Sequence, residues 1–383
     1  MGQRAVANGH PGDERCGGDE HQRQPGFFQR VQAGEDRRQR LGARRPLEER
    51  LVVVVLDDRA EGVDRRARPQ DPCRNHRQPA HFLAIPSLDA PVQTPAGPVS
   101  LRHWIQASRP LAQANLAAPT LLGQALAYQA TGRFSGALLG ALFAWTVLDQ
   151  LVIVWANDYA DRDHDIGGSA KTPFSGGSGV LVEGKIRPRT LRAAALVAYG
   201  LLLALGVGLA LTRTVWALPL TLAAGALLWA YSFPPLRLSY RGGGEHLQGL
   251  GVGVVLPLLG YAVQAGTLAG FPWLALVPTY LLAVAGNVAT ALPDVGADRK
   301  ARKRTWPVRY GPHKSRWLCL ALTVAGLGAV SAFGNAIAAM IATAPLILAL
   351  RLGRGRPAVV RFIVLQGAAT QLALLAWAAF IVF

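Results

Sequence analysis

The sequence predicts an all-α membrane protein: a bundle of nine transmembrane helices behind a long polar N-terminal extension. Three observations carry that prediction. The chain is 51% apolar and 16% charged, a balance found where long segments carry no charge at all. The apolar residues gather into nine stretches, at 108–130, 135–157, 190–211, 214–232, 246–265, 271–293, 315–333, 335–351 and 361–383. At 1.5 Å per helical residue, such stretches are sized for about 30 Å of hydrocarbon. Basic residues, finally, alternate between the connecting loops. Those after the second, fourth, sixth and eighth stretches hold Arg162, Lys171, Lys185, Arg187 and Arg189, then Arg237 and Arg241, then a run from Arg299 to Arg316, then Arg354 and Arg356, whereas the intervening loops hold little beyond Arg133 and Arg213. The positive-inside rule therefore predicts a cytoplasmic N-terminus, with every basic loop on the cytoplasmic face of the cell (inner) membrane.

The extension, residues 1–98, is rich in Arg, Gln, Gly, Pro and Asp, has no Lys, and lacks periodic apolar residues apart from "LVVVVL" at 51–56. A segment of that composition cannot bury enough apolar surface to order itself. It reads either as a disordered basic extension or as sequence upstream of the true start, translation then opening near Val99. Residues 99–383 form the helical domain. The formal net charge of +17 is spread over the tail and several loops rather than one face, which argues against nucleic acid as a partner. Cys16, Cys73 and Cys319 are too scattered for a zinc site or a disulfide framework.

Two clusters of acid interrupt this apolar pattern, and both fall on the predicted cytoplasmic face. "NDYADRDHD" (157–165) ends the second stretch and "LPDVGADRKARKRT" (292–305) ends the sixth. If the second helix continues, Asn157, Asp161 and Asp165 share one face at four-residue spacing, while Asp158 and Asp163 point away. Asp294 and Asp298 repeat the device one turn apart. Carboxylates crowded at the end of a bundle repel one another unless a cation lies among them. A site made of oxygen ligands alone suits Mg²⁺ bridging protein to phosphate, and Lys303 and Arg304 supply the charge a phosphate wants. His164 has no second His or Cys to ligate with and reads as a surface residue. Within the second stretch Asp149 lies two turns before Asn157 on roughly the same face. An acid inside the membrane is a functional candidate; it either orients or deprotonates a substrate or pairs with a polar group of another helix. The glycine runs "GGSGV" (176–180) and "RGGGE" (241–245) lack the strand–loop–helix setting of a nucleotide site and read as tight cytoplasmic turns.

"NDYADRDHD" resembles the N-D-x-x-D-x-x-x-D signature of the UbiA-type intramembrane aromatic prenyltransferases, and "DVGADRKARKRT" their second, D-x-x-x-D signature with its basic tail. "RPLAQANLAAPTLLG" (109–123), "KTPFSGGSGVLVEGKI" (171–186) and "YSFPPLRLSYRGGGE" (231–245) agree further, so the resemblance covers about residues 100–383. It implies a nine-helix bundle around a central cavity in which Mg²⁺, held by Asn157, Asp161, Asp165, Asp294 and Asp298, binds an isoprenyl diphosphate. Lys303, Arg304, Arg109, Lys171 and Arg237 would contact the diphosphate; Tyr231 matches a family tyrosine, and Pro235 stands where some members have Lys. The implied reaction is alkylation of a small aromatic acceptor by an allylic cation, which a dry apolar cavity protects from water. The naphthoate branch, serving menaquinone, is the nearest likeness, with hydroxybenzoate, homogentisate and tetrapyrrole acceptors as alternatives. A cation-coupled transporter would keep its acids near mid-bilayer, which fits Asp149 but neither cluster. CDP-alcohol phosphotransferases need a "DGxxAR" string that is absent here.

Overall fold

In the computed structural model, which describes residues 98–163, 177–333, 335–351 and 356–383, the chain turns before it enters the bundle, and Pro110 is the reason. A residue preceding proline is barred from the right-handed helical region. Arg109 accordingly sits at φ 45°, ψ 63°, ending α1 (Leu101–Ser108). A 3₁₀ turn, Pro110–Gln113, then leads into α2 (Ala114–Thr131), so the first apolar stretch becomes regular helix six residues later than the sequence suggested.

The chain continues through α3 (Gly136–Asp161), α4 (Pro188–Thr212), α5 (Ala217–Ser232), the short α6 (Leu238–Arg241), α7 (Gly244–Leu250) and α8 (Leu256–Ala265). It then runs through α9 (Leu276–Ala291), the short α10 (Val295–Lys300) and α11 (Trp306–Tyr310), α12 (Pro312–Ala332), α13 (Ala336–Leu350) and α14 (Arg356–Val382). Helix occupies each of the nine apolar stretches, and no strand occurs among the described residues. Six helical segments among them are long and apolar enough to cross a membrane: Gly136–Asp161, Pro188–Thr212, Gly244–Ala265, Trp273–Lys300, Pro312–Ala332 and Ala358–Val382. Ala217–Ser232 and Ala336–Leu350 are apolar but shorter, and α2 has the length but is diluted by Asn115, Gln124 and Gln129. The N-terminal extension lies outside the described residues.

α2 packs on α8 and on α14, α3 on α4, α4 on α5, α5 on α7, α7 on α9, α9 on α12, and α13 joins α12 to α14. The α2–α8 seam is a backbone contact. A Cβ on Gly123 would collide with the Pro257 carbonyl, and one on Gly260 with the carbonyl of Thr120. Small residues substitute here for the hydrophobic effect, which does little between helices in lipid. Between α7 and α8 the five residues Gly251–Val255 form a π-helical segment, a local widening that recurs at functional sites. The Thr279 hydroxyl donates to the Gly253 carbonyl at 2.5 Å, satisfying a group that the irregular turn would otherwise strand.

One end of the bundle is tied shut. Gln264, 2% exposed, donates to Gln124 Oε1 and to the Ser135 carbonyl, both at 3.0 Å, and accepts from the Ser135 N–H at 3.1 Å. Arg213 donates to the carbonyls of Val263 (2.9 Å) and Gln264 (2.5 Å), capping α8 where its last carbonyls lack helical partners. The opposite end holds both acidic clusters.

Candidate active site

α3 delivers the first cluster along a four-residue stripe. Asp149, Ile153, Asn157 and Asp161 follow one another on a single face, and all four line a cavity of about 300 Å³ enclosed by α2, α3, α5, α7 and α9. α3 ends at Asp161; Asp165 and Lys171 lie outside the described residues. The shared face anticipated for Asn157 and Asp161 holds: Asn157 Nδ2 donates to Asp161 Oδ2 at 3.4 Å, and Ser232 Oγ donates to Asn157 Oδ1 at 3.2 Å.

The second cluster meets the first across Lys303. Leu292–Asp294 is 3₁₀, and α10 then carries Asp298. α10 stops in a tight turn, with Arg302 at φ 59°, the Lys303 N–H bonded to the Asp298 carbonyl at 2.8 Å and the Arg302 N–H to that of Arg299 at 3.1 Å. These are the two bonds of a Schellman cap. The turn sends Lys303 back over the cavity mouth, where Nζ lies 2.8 Å from Asp161 Oδ2 and 4.0 Å from Asp298 Oδ1. Thr305 Oγ1 donates to Asp298 Oδ2 at 3.1 Å. Tyr240 donates to Asp161 Oδ1 at 2.8 Å, with Arg237 stacked on its ring at 3.7 Å and 3.9 Å from the same oxygen.

Burial works against the Lys303 charge, but the Asp161 carboxylate outweighs it and holds the ammonium pKa above lysine's ordinary value. Burial, and after it the same carboxylate, push the Tyr240 phenol up. At neutral pH, Lys303 is therefore a fixed cation and Tyr240 a neutral donor.

Asp294, Tyr231 and Arg109 also line the cavity. Arg304 does not; its side chain is exposed, because the cap that turns Lys303 inward sends its successor out. Arg109 is engaged elsewhere than on the cavity's acids of the second cluster: its Nη2 pairs with Asp158 Oδ1 at 3.0 Å. Asp158 does leave the cavity-facing stripe, as its helical position requires, but it turns into protein, at 4% exposure, and accepts from the Ser178 N–H (3.2 Å to Oδ2) and from the Ser178 hydroxyl. Asp163 faces solvent beside Arg162. Local spacing could show that Asp158 leaves the stripe, but not that it pins the loop beginning at Gly177.

Glu245 was missed as well. The "RGGGE" run was assigned to a turn, yet Glu245 is 1% exposed, lines the cavity, and accepts from the Trp306 N–H at 2.6 Å, capping α11. Its other oxygen has no partner among the described residues. The signal was an acid at the start of an apolar helix.

The side-chain oxygens at this mouth, from Asp, Asn, Glu, Tyr and Thr, are hard donors, chemistry that fits a hard divalent cation and not a soft one. Among the described residues no three His, Cys, Asp or Glu side chains already converge on a single point.

Comparison with known proteins agrees with this architecture. The model of the UbiA prenyltransferase family matches residues 116–361, a span that includes both acidic clusters. A 1,4-dihydroxy-2-naphthoate octaprenyltransferase of Bacillus subtilis (strain 168) is 27% identical over 147 residues, 38% of this chain and 47% of that protein, so the match spans about half of that relative's length. A lycopene elongase/hydratase of Haloferax volcanii is 29% identical over 244 residues, 63% of this chain and 76% of that protein. Among solved structures, a UbiA homolog from Archaeoglobus fulgidus bound to GPP and Mg²⁺ has a TM-score of 0.54 at 17% identity, covering 73% of this chain and 100% of that one. That is a likeness of fold.

Proposed function

This chain belongs to the UbiA prenyltransferase family, and from that premise we propose that it transfers an isoprenyl group from a prenyl diphosphate to a small aromatic acceptor, of the dihydroxynaphthoate kind that serves menaquinone, at the cytoplasmic mouth of a nine-span bundle in the cell membrane. One observation carries the proposal: a charged lysine held between carboxylates of two sequence-distant motifs, 2.8 Å from Asp161 and 4.0 Å from Asp298, at the mouth of a cavity among apolar helices.

Asn157, Asp161, Asp294 and Asp298, together with Asp165, would hold Mg²⁺. When bound, Mg²⁺ neutralises diphosphate charge and makes it a better leaving group. Lys303 binds the same diphosphate and stabilises the charge that grows on it as the C1–O bond breaks. Tyr240 and Arg237 hold Asp161 in place, Arg109 extends the cationic rim, and Lys171 would contact the diphosphate as the family resemblance implies. Tyr231 lines the cavity and would contact the substrate there. The apolar walls of α3, α5 and α7 exclude water from the allylic cation, leaving the acceptor ring as its nucleophile. Arg304, exposed beside Lys303, would meet the diphosphate as it enters.

The test is to incubate membranes containing the protein with Mg²⁺, labelled prenyl diphosphates and a panel of aromatic acceptors. A prenylated product that disappears in Asp161→Ala is expected. No product from any acceptor, or full activity in Asp161→Ala, would overturn the proposal.

A further inference from the structure

The mechanism above uses the mouth of the cavity and leaves its depth without a role. Asp149 lies halfway along α3, twelve residues from Asp161, which at 1.5 Å per residue is about 18 Å along the helix. It is 5% exposed, yet lines the cavity. No group among the described residues hydrogen-bonds its carboxylate; the pairing with a neighbouring helix that would make it merely structural is not there. Beside it, Gln150 is 4% exposed and its Nε2 has no partner either. Asn115 of α2, Gln248 of α7 and Asn287 of α9 line the same cavity. Asn115 accepts from Gln371 at 2.9 Å, and Asn287 donates to Gln248. A set of amides and one acid therefore lines the cavity along otherwise apolar helices. Buried polar groups left without partners are costly, and so is an acid at this depth.

We infer that this set is the recognition site for the far end of the acceptor, and that Asp149 accepts a hydrogen bond from an acceptor hydroxyl rather than removing the proton from the reacting carbon. The inference rests on the prenyl-transfer reading and deepens it. Distance decides between the two roles. A general base must come within about 2.6–3.2 Å of the proton it takes. The ring carbon that gives up its proton is the one that bonds to prenyl C1, and C1 leaves a diphosphate held at Lys303, near the opposite end of the stripe. Charge decides the orientation. Among the described residues the cations lining the cavity, Arg109 and Lys303, are both at the mouth, so an acceptor carboxylate is drawn there and repelled by Asp149. The acceptor lies lengthwise below the diphosphate, its anionic side turned toward the mouth and its hydroxyl toward Asp149. A hydrocarbon polyene has no donor for Asp149 and would strand these polar groups. The acceptor class is thus that of the Bacillus relative's name, not that of the Haloferax relative's.

The experiment uses the full chain in lipid nanodiscs, with 1,4-dihydroxy-2-naphthoate and lycopene as acceptor probes and geranyl diphosphate as donor. Binding of each acceptor is measured without metal, and KM and kcat are measured with it. Asp149→Leu is expected to weaken dihydroxynaphthoate binding and raise its KM at least tenfold while leaving the KM for geranyl diphosphate unchanged. Asp149→Asn, which keeps an accepting oxygen, is expected to stay within about threefold of the parent. A fall in kcat with acceptor affinity intact would make Asp149 a base and overturn the inference. So would unchanged binding in Asp149→Leu, or preferential binding of lycopene by the parent chain. If the parent transfers a prenyl group to neither probe, the proposed function fails, and the binding measurements still decide the role of Asp149.

Discussion

The two ends of the bundle use similar side chains to opposite effect. At the closed end, Gln264 makes three hydrogen bonds to Gln124 and Ser135, and Arg213 spends its donors on the carbonyls of α8. At the open end, Arg109 Nε, Arg237 Nε and one oxygen of Glu245 are buried without a partner, whereas at the closed end the Thr214 hydroxyl alone is so among the described residues. A satisfied network rigidifies; an incompletely satisfied one stores capacity for a ligand. The difference points to the same end of the bundle as the two motifs do.

Substitutions at the two ends should therefore fail in different ways. The largest effect is expected from Lys303→Met at the open end. Removing the cation between Asp161 and Asp298 should lower kcat about 10²–10³-fold, with the thermal midpoint of the detergent-solubilised protein little changed. A large loss of stability with activity per folded molecule preserved would erase the contrast. Next comes Gln264→Leu at the closed end, which strands Gln124 and the Ser135 backbone. It should cost about 1–3 kcal/mol, seen as a lowered unfolding midpoint, with the KM for prenyl diphosphate unchanged at permissive temperature. The smallest effect sharpens the comparison at a residue belonging to both categories. Glu245→Ala removes the cap of α11 and should cost about 0.5–2 kcal/mol while raising the KM for prenyl diphosphate. Glu245→Gln, which can still accept from the Trp306 N–H, should recover most of both. Equal defects in the two variants would mean that the negative charge, not the cap, is what matters there.

How much of this was legible beforehand follows from the range of each signal. Apolar stretches and acidic clusters are local, and the helices and the Asn157–Asp161 stripe came from them directly. The meeting of Asp161 with Asp298 was foreseen as a shared membrane face, because loop charges report sidedness; its distances were not. Contacts between distant segments were invisible. Asp158, Ser178 and Arg109 are brought together by the way α1 and the loop from Gly177 fold over the end of α3, and no periodicity encodes that. Lys303 and Arg304 look equivalent in a basic run, and only the cap on α10 separates them. α5 and α13 fall short in length of what their sequence stretches suggested, running only over Ala217–Ser232 and Ala336–Leu350, whereas α2 has the length and is diluted by Asn115, Gln124 and Gln129.

The turn at Arg302 acts as a ruler. Because the Lys303 N–H is bonded to the carbonyl of Asp298 itself, the spacing between the acid and the ammonium that faces it is set by one closed ring of backbone atoms rather than by side-chain reach. Adding or removing a residue in that ring would rotate the lysine off the cavity while leaving both signatures intact as strings. Sequences that share the letters of the two motifs can thus be sorted by whether they keep this interval, a criterion of chain geometry that composition does not contain.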